Sequence, residues 1–252
     1  MAISTFQRRE VKYMLSMEQF EALLPIIYEH MNPDKYCVDG KEYGIYNIYY
    51  DTPDHFLIRQ SIDKPYYKEK LRLRSYYSPA SPDDTVFLEV KKKVGGIVTK
   101  RRVAMTLREA ETYLQTRVKP YYERFIDQQV MKEFDVFLNR YDCKPKQYIS
   151  YQRAAFFGKE DKDFRLTFDR KITARREDIS LSHESYGEQL IGADQRLMEI
   201  KVPGSVPMWM TQALSALEIR RGSFSKYGTA YTNYVRSLIE QQQETERKIS
   251  YA

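Results

Sequence analysis

Six short segments of the sequence place charged side chains at alternate positions: Arg8-Glu10-Lys12, Arg72-Arg74, Glu89-Lys91, Lys100-Arg102, Arg165-Thr167-Asp169 and Glu199-Lys201. In a β-strand, residues i and i+2 point to the same side, so each segment would present its charges as a row. Leu71/Leu73, Leu88/Val90, Leu166/Phe168 and Met198/Ile200 would then occupy the opposite side. A sheet built from such strands has one apolar face and one cationic face. If the charged face curls inward and closes, it makes a basic tunnel with a few carboxylates in it, a chemistry suited to a polyphosphorylated anion and its metal. One row alone would mean little, because the solvent face of an antiparallel strand is polar by default. Six rows rich in Arg and Lys are different: like charges directly opposite one another cost roughly a few tenths to 1 kcal/mol per pair, and a bound polyanion removes that cost.

The carboxylates in these rows are the second signal. Glu10, Glu89, Asp169 and Glu199 each lie near a cation in the alternating pattern, as hard oxygen ligands for Mg²⁺ or Mn²⁺ would if phosphates supplied the remaining ligands. Neutralisation of the neighbouring Lys and Arg is the competing role, since carboxylates in cationic surroundings stay ionised either way.

The elements that must position these rows can be followed along the chain. Residues 7–15 read as a strand, after which Ser16 with Gln19 three positions on forms a capping box that opens a helix to Glu29. A strand rich in β-formers over 44–51 ends at Thr52-Pro53-Asp54, and a short helix follows at 55–59. Strands are expected at 68–77, 85–93 and 97–105, the last two joined by the hairpin signal Gly95-Gly96. Thr106 with Glu109 starts a helical pattern running to about Leu138. Strands resume at 147–157, 163–173 and 195–202, and amphipathic helices at 207–220 and about 228–248 complete the chain. No repeat or flexible linker divides it, so residues 1–252 are expected to form one domain of α+β class.

Composition narrows the function. Of 252 residues 42% are hydrophobic and 30% charged, which excludes a disordered chain, and 22 tyrosines favour a β-rich architecture. The net charge of +6 calls for an anionic partner without choosing among phosphate esters, nucleic acid and membrane. Cys37 and Cys143 stand far apart and without metal-ligand spacing, so a reducing cytoplasm is expected. No apolar leader and no stretch of about 18 apolar residues occurs, so no membrane segment is expected.

In order along the chain, Arg-Arg-Glu-Val-Lys-Tyr (8–13), Ile-Tyr-Tyr-Asp-Thr (48–52), Leu-Arg-Leu-Arg (71–74), Phe-Leu-Glu-Val-Lys (87–91), Tyr-Gln-Arg-Ala-Ala-Phe (151–156), Leu-Met-Glu-Ile-Lys (197–201) and Phe-Ser-Lys-Tyr (224–227) resemble the polyphosphate-polymerase domain of the vacuolar transporter chaperone (VTC) family. That domain is one of the triphosphate tunnel metalloenzymes. The resemblance covers about residues 6–235. It implies a closed antiparallel β tunnel barrel with flanking helices that transfers the terminal phosphoryl group of ATP to a growing polyphosphate chain. It further implies phosphate-binding roles for Lys12, Arg72, Arg74, Lys91, Lys100, Arg153, Arg165 and Lys226, hydrogen-bond donation from Tyr151 and Ser225, and metal binding by Glu199. Lys12, Arg72, Arg74, Arg153 and Glu199 are the expected indispensable set, with Mn²⁺ or Mg²⁺ as cofactor and Glu10, Glu89 and Asp169 as further metal candidates.

Two departures qualify the resemblance. The wider superfamily opens with Glu-x-Glu-x-Lys, whereas Arg8 replaces the first glutamate, a VTC-like form. Ser223 stands where the eukaryotic polymerase carries a lysine, with Arg220 and Arg221 as candidates to make up that charge. The eukaryotic relatives also carry a sensing domain and a membrane segment, so a free-standing prokaryotic-type domain is expected, with a membrane partner left open. Three functions remain in play: polymerase, metal-dependent triphosphate or polyphosphate hydrolase, and non-catalytic binding of polyphosphate or inositol phosphate. Nucleic acid is not an expected partner, because Lys91-Lys92-Lys93 must split between the two faces of its strand. His30, His55 and His183 lack a Ser or Cys constellation, Gly95-Gly96 lacks the spacing of a P-loop, and Trp209 reads as a packing anchor.

Overall fold

The computed structural model describes residues 9–250; Arg8 of the first charged row lies outside them. The elements run in the order β1 (Arg9–Leu15), α1 (Met17–His30), β2 (Met31–Pro33), β3 (Tyr43–Asp51), α2 (Phe56–Ile62), β4 (Tyr67–Ser75), β5 (Thr85–Val94), β6 (Ile97–Thr106), α3 (Leu107–Thr116), α4 (Phe125–Arg140), β7 (Lys144–Gly158), β8 (Arg165–Arg175), β9 (Glu188–Gln189), β10 (Arg196–Val202), α5 (Met208–Ala216), β11 (Arg221–Gly222) and α6 (Lys226–Ser250). The chain is therefore a mixed α and β fold around one antiparallel sheet.

Local chemistry sets these boundaries. The Ser16 hydroxyl accepts from the Gln19 amide and the Gln19 side chain accepts from the Ser16 amide, which fixes the start of α1. Thr106 and Glu109 repeat the device at α3. The helical pattern expected from Thr106 to Leu138 is two helices: α3 stops where Arg117 adopts φ 67°, and the segment with Pro120 separates it from α4. The expected helix over 207–220 ends early, at Ala216. Between β5 and β6, Gly95 and Gly96 take φ 54° and 92°, the left-handed geometry a two-residue hairpin needs.

Hydrogen-bonded neighbours follow the order β11-β1-β10-β8-β7-β3-β4-β5-β6, with β2 on β7 and β9 on β8. Closure of the expected barrel is not seen in the backbone pairing: among the described residues none joins β6 to β1. The free edge of β1 is taken at Lys12 and Tyr13 by Gly222 and Arg221, and on β6 the Ala104 carbonyl accepts from the Tyr122 hydroxyl. Side chains span the remaining gap, with Lys91 of β5 reaching Glu10 of β1.

Alternation sorts the two faces. Leu71, Leu73, Leu88, Val90 and Val103 pack outward under α3 and α4, against Tyr113 and Phe134. Leu166, Phe168, Met198 and Ile200 pack outward under α1 and α5, against Leu23, Ile27 and Met210. Trp209 anchors this layer, stacked on His30 and edge-on to Phe164. On the inner face the strands change character along their length. Ile45, Ile149, Ile172 and Leu197 form an apolar floor with Ile58 of α2 and Tyr227 and Ala230 of α6, and the charged rows begin above it.

Candidate functional site: a cationic cavity with two unlike walls

Above the apolar floor the inner face encloses a cavity of about 940 Å³. Its first wall comes from β4, β5 and β6, which contribute Lys70, Arg72, Arg74, Lys91 and Lys100. The strand register sets Arg72 opposite Glu89 and aligns Lys70, Lys91 and Lys100 side by side. Glu89 is buried and does not line the cavity; its carboxylate accepts from Arg72 Nε at 2.5 Å and Lys100 Nζ at 2.9 Å. Burial opposes the charge on Glu89, but Arg72, Arg74 and Lys100 outweigh it and hold the carboxyl far below its usual range. Arg74 is steered separately, donating to the buried Asn47 side chain at 2.9 Å and to the Tyr151 hydroxyl at 3.3 Å.

The second wall comes from β1, β10, β8, β7 and the start of α6. Arg153 clamps Asp169 through Nε at 2.6 Å and a terminal nitrogen at 2.7 Å. Lys226 closes on the same carboxylate at 2.5 Å and lies 3.5 Å from Glu199. Lys12 stands between Glu199 at 3.2 Å and Glu10 at 3.4 Å, and its ammonium also donates to the Phe224 carbonyl. Lys201 lies 3.7 Å from Glu199. Despite burial, Lys226, Lys12 and Lys201 keep Glu199 ionised well below the ordinary carboxylate range. Ser225 precedes α6 and its hydroxyl accepts from the Gly228 amide, so the positive end of that helix opens on the cavity.

All the residues named for phosphate contact line this space: Lys12, Arg72, Arg74, Lys91, Lys100, Tyr151, Arg153, Arg165, Ser225 and Lys226, with Arg165 exposed at the rim. The four carboxylates separate. Glu10 and Glu199 line the cavity, whereas Glu89 and Asp169 lie behind the cations that they orient. Arg220 and Arg221, the candidates to replace charge near Ser223, sit apart from it. Sequence reasoning gave no phosphate-contact role to Lys70, which continues the Arg72-Arg74 row by one step, or to Lys201, which belongs to the Glu199-Lys201 row, yet both line the cavity. It also missed Asn47, whose role on Arg74 has no sequence signal.

Thr167 supplies a further clue. It lies opposite Glu199 in the β8–β10 register, lines the cavity, and its buried hydroxyl has no partner in the structure. A buried polar atom left so is costly unless a ligand completes it.

No curated protein matches the chain. A candidate adenylate cyclase of Bacillus halodurans superimposes with a TM-score of 0.52 at 15% identity, covering 87% of this chain and 95% of that one. A candidate adenylyl cyclase of Hippeastrum, described as having a dominant triphosphatase activity, gives a TM-score of 0.51 at 14% identity, covering 89% of this chain and 95% of that one. At these identities the likeness is one of fold. The VTC domain, by contrast, matches the sequence itself over residues 7–235, and the chain therefore belongs to the VTC domain family.

Proposed function

We propose that the protein transfers the terminal phosphoryl group of ATP to the end of a polyphosphate chain held in this cavity, with residues 1–252 acting as one unit. The observation that carries the reading is the preset array of cations. Arg72, Arg74 and Arg153 are already oriented by Glu89, Asn47, Tyr151 and Asp169. Phosphoryl transfer asks a protein mainly for positioning and charge stabilisation. A terminal oxygen of the acceptor chain attacks the γ-phosphorus while the bond to the β,γ-bridging oxygen breaks, and the electron pair leaves with ADP. Guanidinium groups grip phosphate oxygens in pairs, and Lys12 and Lys226 act as point charges near the transferring group.

Glu199 and Glu10, with the unpartnered Thr167 hydroxyl, suit a divalent ion whose remaining ligands are phosphate oxygens. Such an ion would supply neutralisation of charge on the phosphates. Asp169 and Glu89 are better suited to orienting arginines, since cations engage both oxygens of each. Use of ATP as donor favours a cytoplasmic location, and no helix among the described residues is long and apolar enough to cross a membrane.

Hydrolysis of triphosphate is the competing reading, favoured by the fold shared with the Hippeastrum protein and its described triphosphatase activity. Incubation with ATP and Mn²⁺, with and without a short polyphosphate primer, separates the two when ADP, free phosphate and chain length are followed together. ADP with lengthening chains is the expected result. Free phosphate without chains would establish the hydrolase, and tight triphosphate binding without turnover would leave a binding module.

A further inference from the structure

Lys70 differs from the other cations of its wall. Arg72 and Lys100 hold Glu89, Arg74 is bonded to Asn47 and Tyr151, and Lys91 reaches Glu10. No carboxylate is within ion-pair distance of Lys70 among the described residues; its ammonium lies 3.4 Å from the Ser225 hydroxyl and 5.8 Å from the centre of the Tyr227 ring. The charged groups facing it are all cations: Lys91 directly across on β5, Lys68 and Arg72 on its own strand, and Lys12 from β1. From α6 it meets Ser225 and Tyr227, and Tyr227 stacks on Tyr49 of β3. Burial, then Asp51, pushes the Tyr227 hydroxyl far up, so Tyr227 brings no anion near neutral pH.

We propose that Lys70 binds a phosphate oxyanion beside Ser225 and takes up a proton from solvent as it does so, which makes anion binding in this cavity pH-linked. The inference rests on the phosphate-binding reading above and adds to it a residue and a proton. Its physical basis is the clustering of Lys70, Lys91 and Lys100 on three adjacent strands. Lys91 and Lys100 each have a carboxylate partner and Lys70 has none among the described residues, so its charge is opposed by its neighbours until an anion arrives. Burial and then the cations Lys91, Lys68, Lys12 and Arg72 bring Lys70 down to about 7, so much of it is neutral above that pH in the free protein. An oxyanion favours the ammonium form, so affinity must fall as pH rises past the free value. The Lys70 share of that fall is at most about tenfold per pH unit.

The test titrates the full chain calorimetrically with sodium tripolyphosphate at about pH 8, in two buffers of different ionisation heat, to count protons. Wild type should take up most of one proton more than Lys70→Arg, which stays charged throughout. Lys70→Arg, already charged, should bind at least as tightly as wild type, and Lys70→Met should lose about tenfold or more. Equal proton counts in wild type and Lys70→Arg, with both binding, would overturn the Lys70 inference and leave the phosphate reading standing. Failure of wild type to bind tripolyphosphate would overturn that reading and the inference with it. The pH profile of wild-type affinity needs no variant. Burial brings Lys100 down to about 8, so it titrates in the same window. Once the ionisation of tripolyphosphate itself is subtracted, a flat profile between about pH 7 and 9 overturns the proposal even if the substitutions prevent folding.

Discussion

The two walls of the cavity use the same residue types to different ends. On the β4–β6 wall, Lys70, Arg72, Arg74, Lys91 and Lys100 face the cavity, and Glu89, the carboxylate that pairs with Arg72 and Lys100, is hidden behind them. On the wall formed by β1, β10, β8, β7 and α6, Lys12, Arg153, Arg165, Lys201 and Lys226 share the surface with Glu10 and Glu199. The first wall is short of anions, and the second carries a smaller excess of positive charge. A cationic surface lacking counter-charge is a place for a polyanion to rest, whereas a mixed surface can also present oxygen ligands to a metal. The difference teaches that alternating charge along a strand is one pattern with two uses, and what separates them is which carboxylates reach the open space.

The sharpest break is at Glu199. Glu199→Gln should lower metal-dependent turnover by about a thousandfold, roughly 4 kcal/mol in the barrier, while circular dichroism shows the fold retained. Lys12, Lys201 and Lys226 lose their shared counter-charge in this variant. Affinity for triphosphate in the absence of metal should therefore hold or rise. Full activity with an unchanged Mn²⁺ requirement would sink the assignment of the metal to the mixed wall.

The next contrast sets Glu89→Gln against Asp169→Asn. Glu89 is the nearest counter-charge to Arg72 and Lys100, and its side chain is 1% exposed. Neutralising it should cost about 3 kcal/mol of stability, read from urea denaturation. Asp169 is fully buried too, but Arg153 and Lys226 keep Glu199 within 4.0 Å and 3.5 Å. Its neutralisation should cost less, roughly 2 kcal/mol. Tripolyphosphate at 100 times its Kd should return about 2.7 kcal/mol to Glu89→Gln by binding the folded form. Equal losses in the two variants would mean that the walls do not differ in their reserve of negative charge.

How much of this was legible in the sequence depends on range. The charged rows and their apolar backs follow from the period of two, and Leu71, Leu73, Met198 and Ile200 are buried as that period requires. Helix starts at Ser16 and Thr106 were readable because a capping box is a local device. The break between α3 and α4 was not, since Arg117 ends α3 in a left-handed conformation that its residue type does not announce. The open seam of the sheet was beyond reach as well: β11, two residues long, takes the edge of β1 from more than two hundred positions away, and among the described residues no backbone pairing joins β6 to β1. In the site, residue type and alternation pointed to Glu10, Glu89, Asp169 and Glu199 alike; only depth separates those that line the cavity from those behind its cations. Lys70 was passed over because its distinction is the lack of a carboxylate partner among the described residues, a property of three strands and a helix together.

Glu10 offers the smallest effect and the most direct test of how the walls communicate. Its carboxylate lies 3.4 Å from Lys91 on the first wall and 3.4 Å from Lys12 on the second, bridging the gap where no backbone pairing occurs among the described residues. Burial pushes Glu10 up and Glu199 adds to this, but Lys91, Lys12 and Lys201 outweigh both and bring it from 4.5 down to about 2. Because the folded value is depressed, the bridge contributes its full stability above pH 4.5 and loses it as pH falls from there to about 2. The side chain is 23% exposed, so salt screens part of the contribution, and at neutral pH Glu10→Gln should cost no more than about 1 kcal/mol. The informative quantity is the slope: melting temperature should fall less steeply in Glu10→Gln than in wild type across that acid window. Lys91→Met should flatten it in the same direction, since it removes the largest single attraction on Glu10. Parallel acid profiles for wild type and Glu10→Gln would show that the walls are held together by their apolar backs alone, with the charge across the gap serving only the ligand.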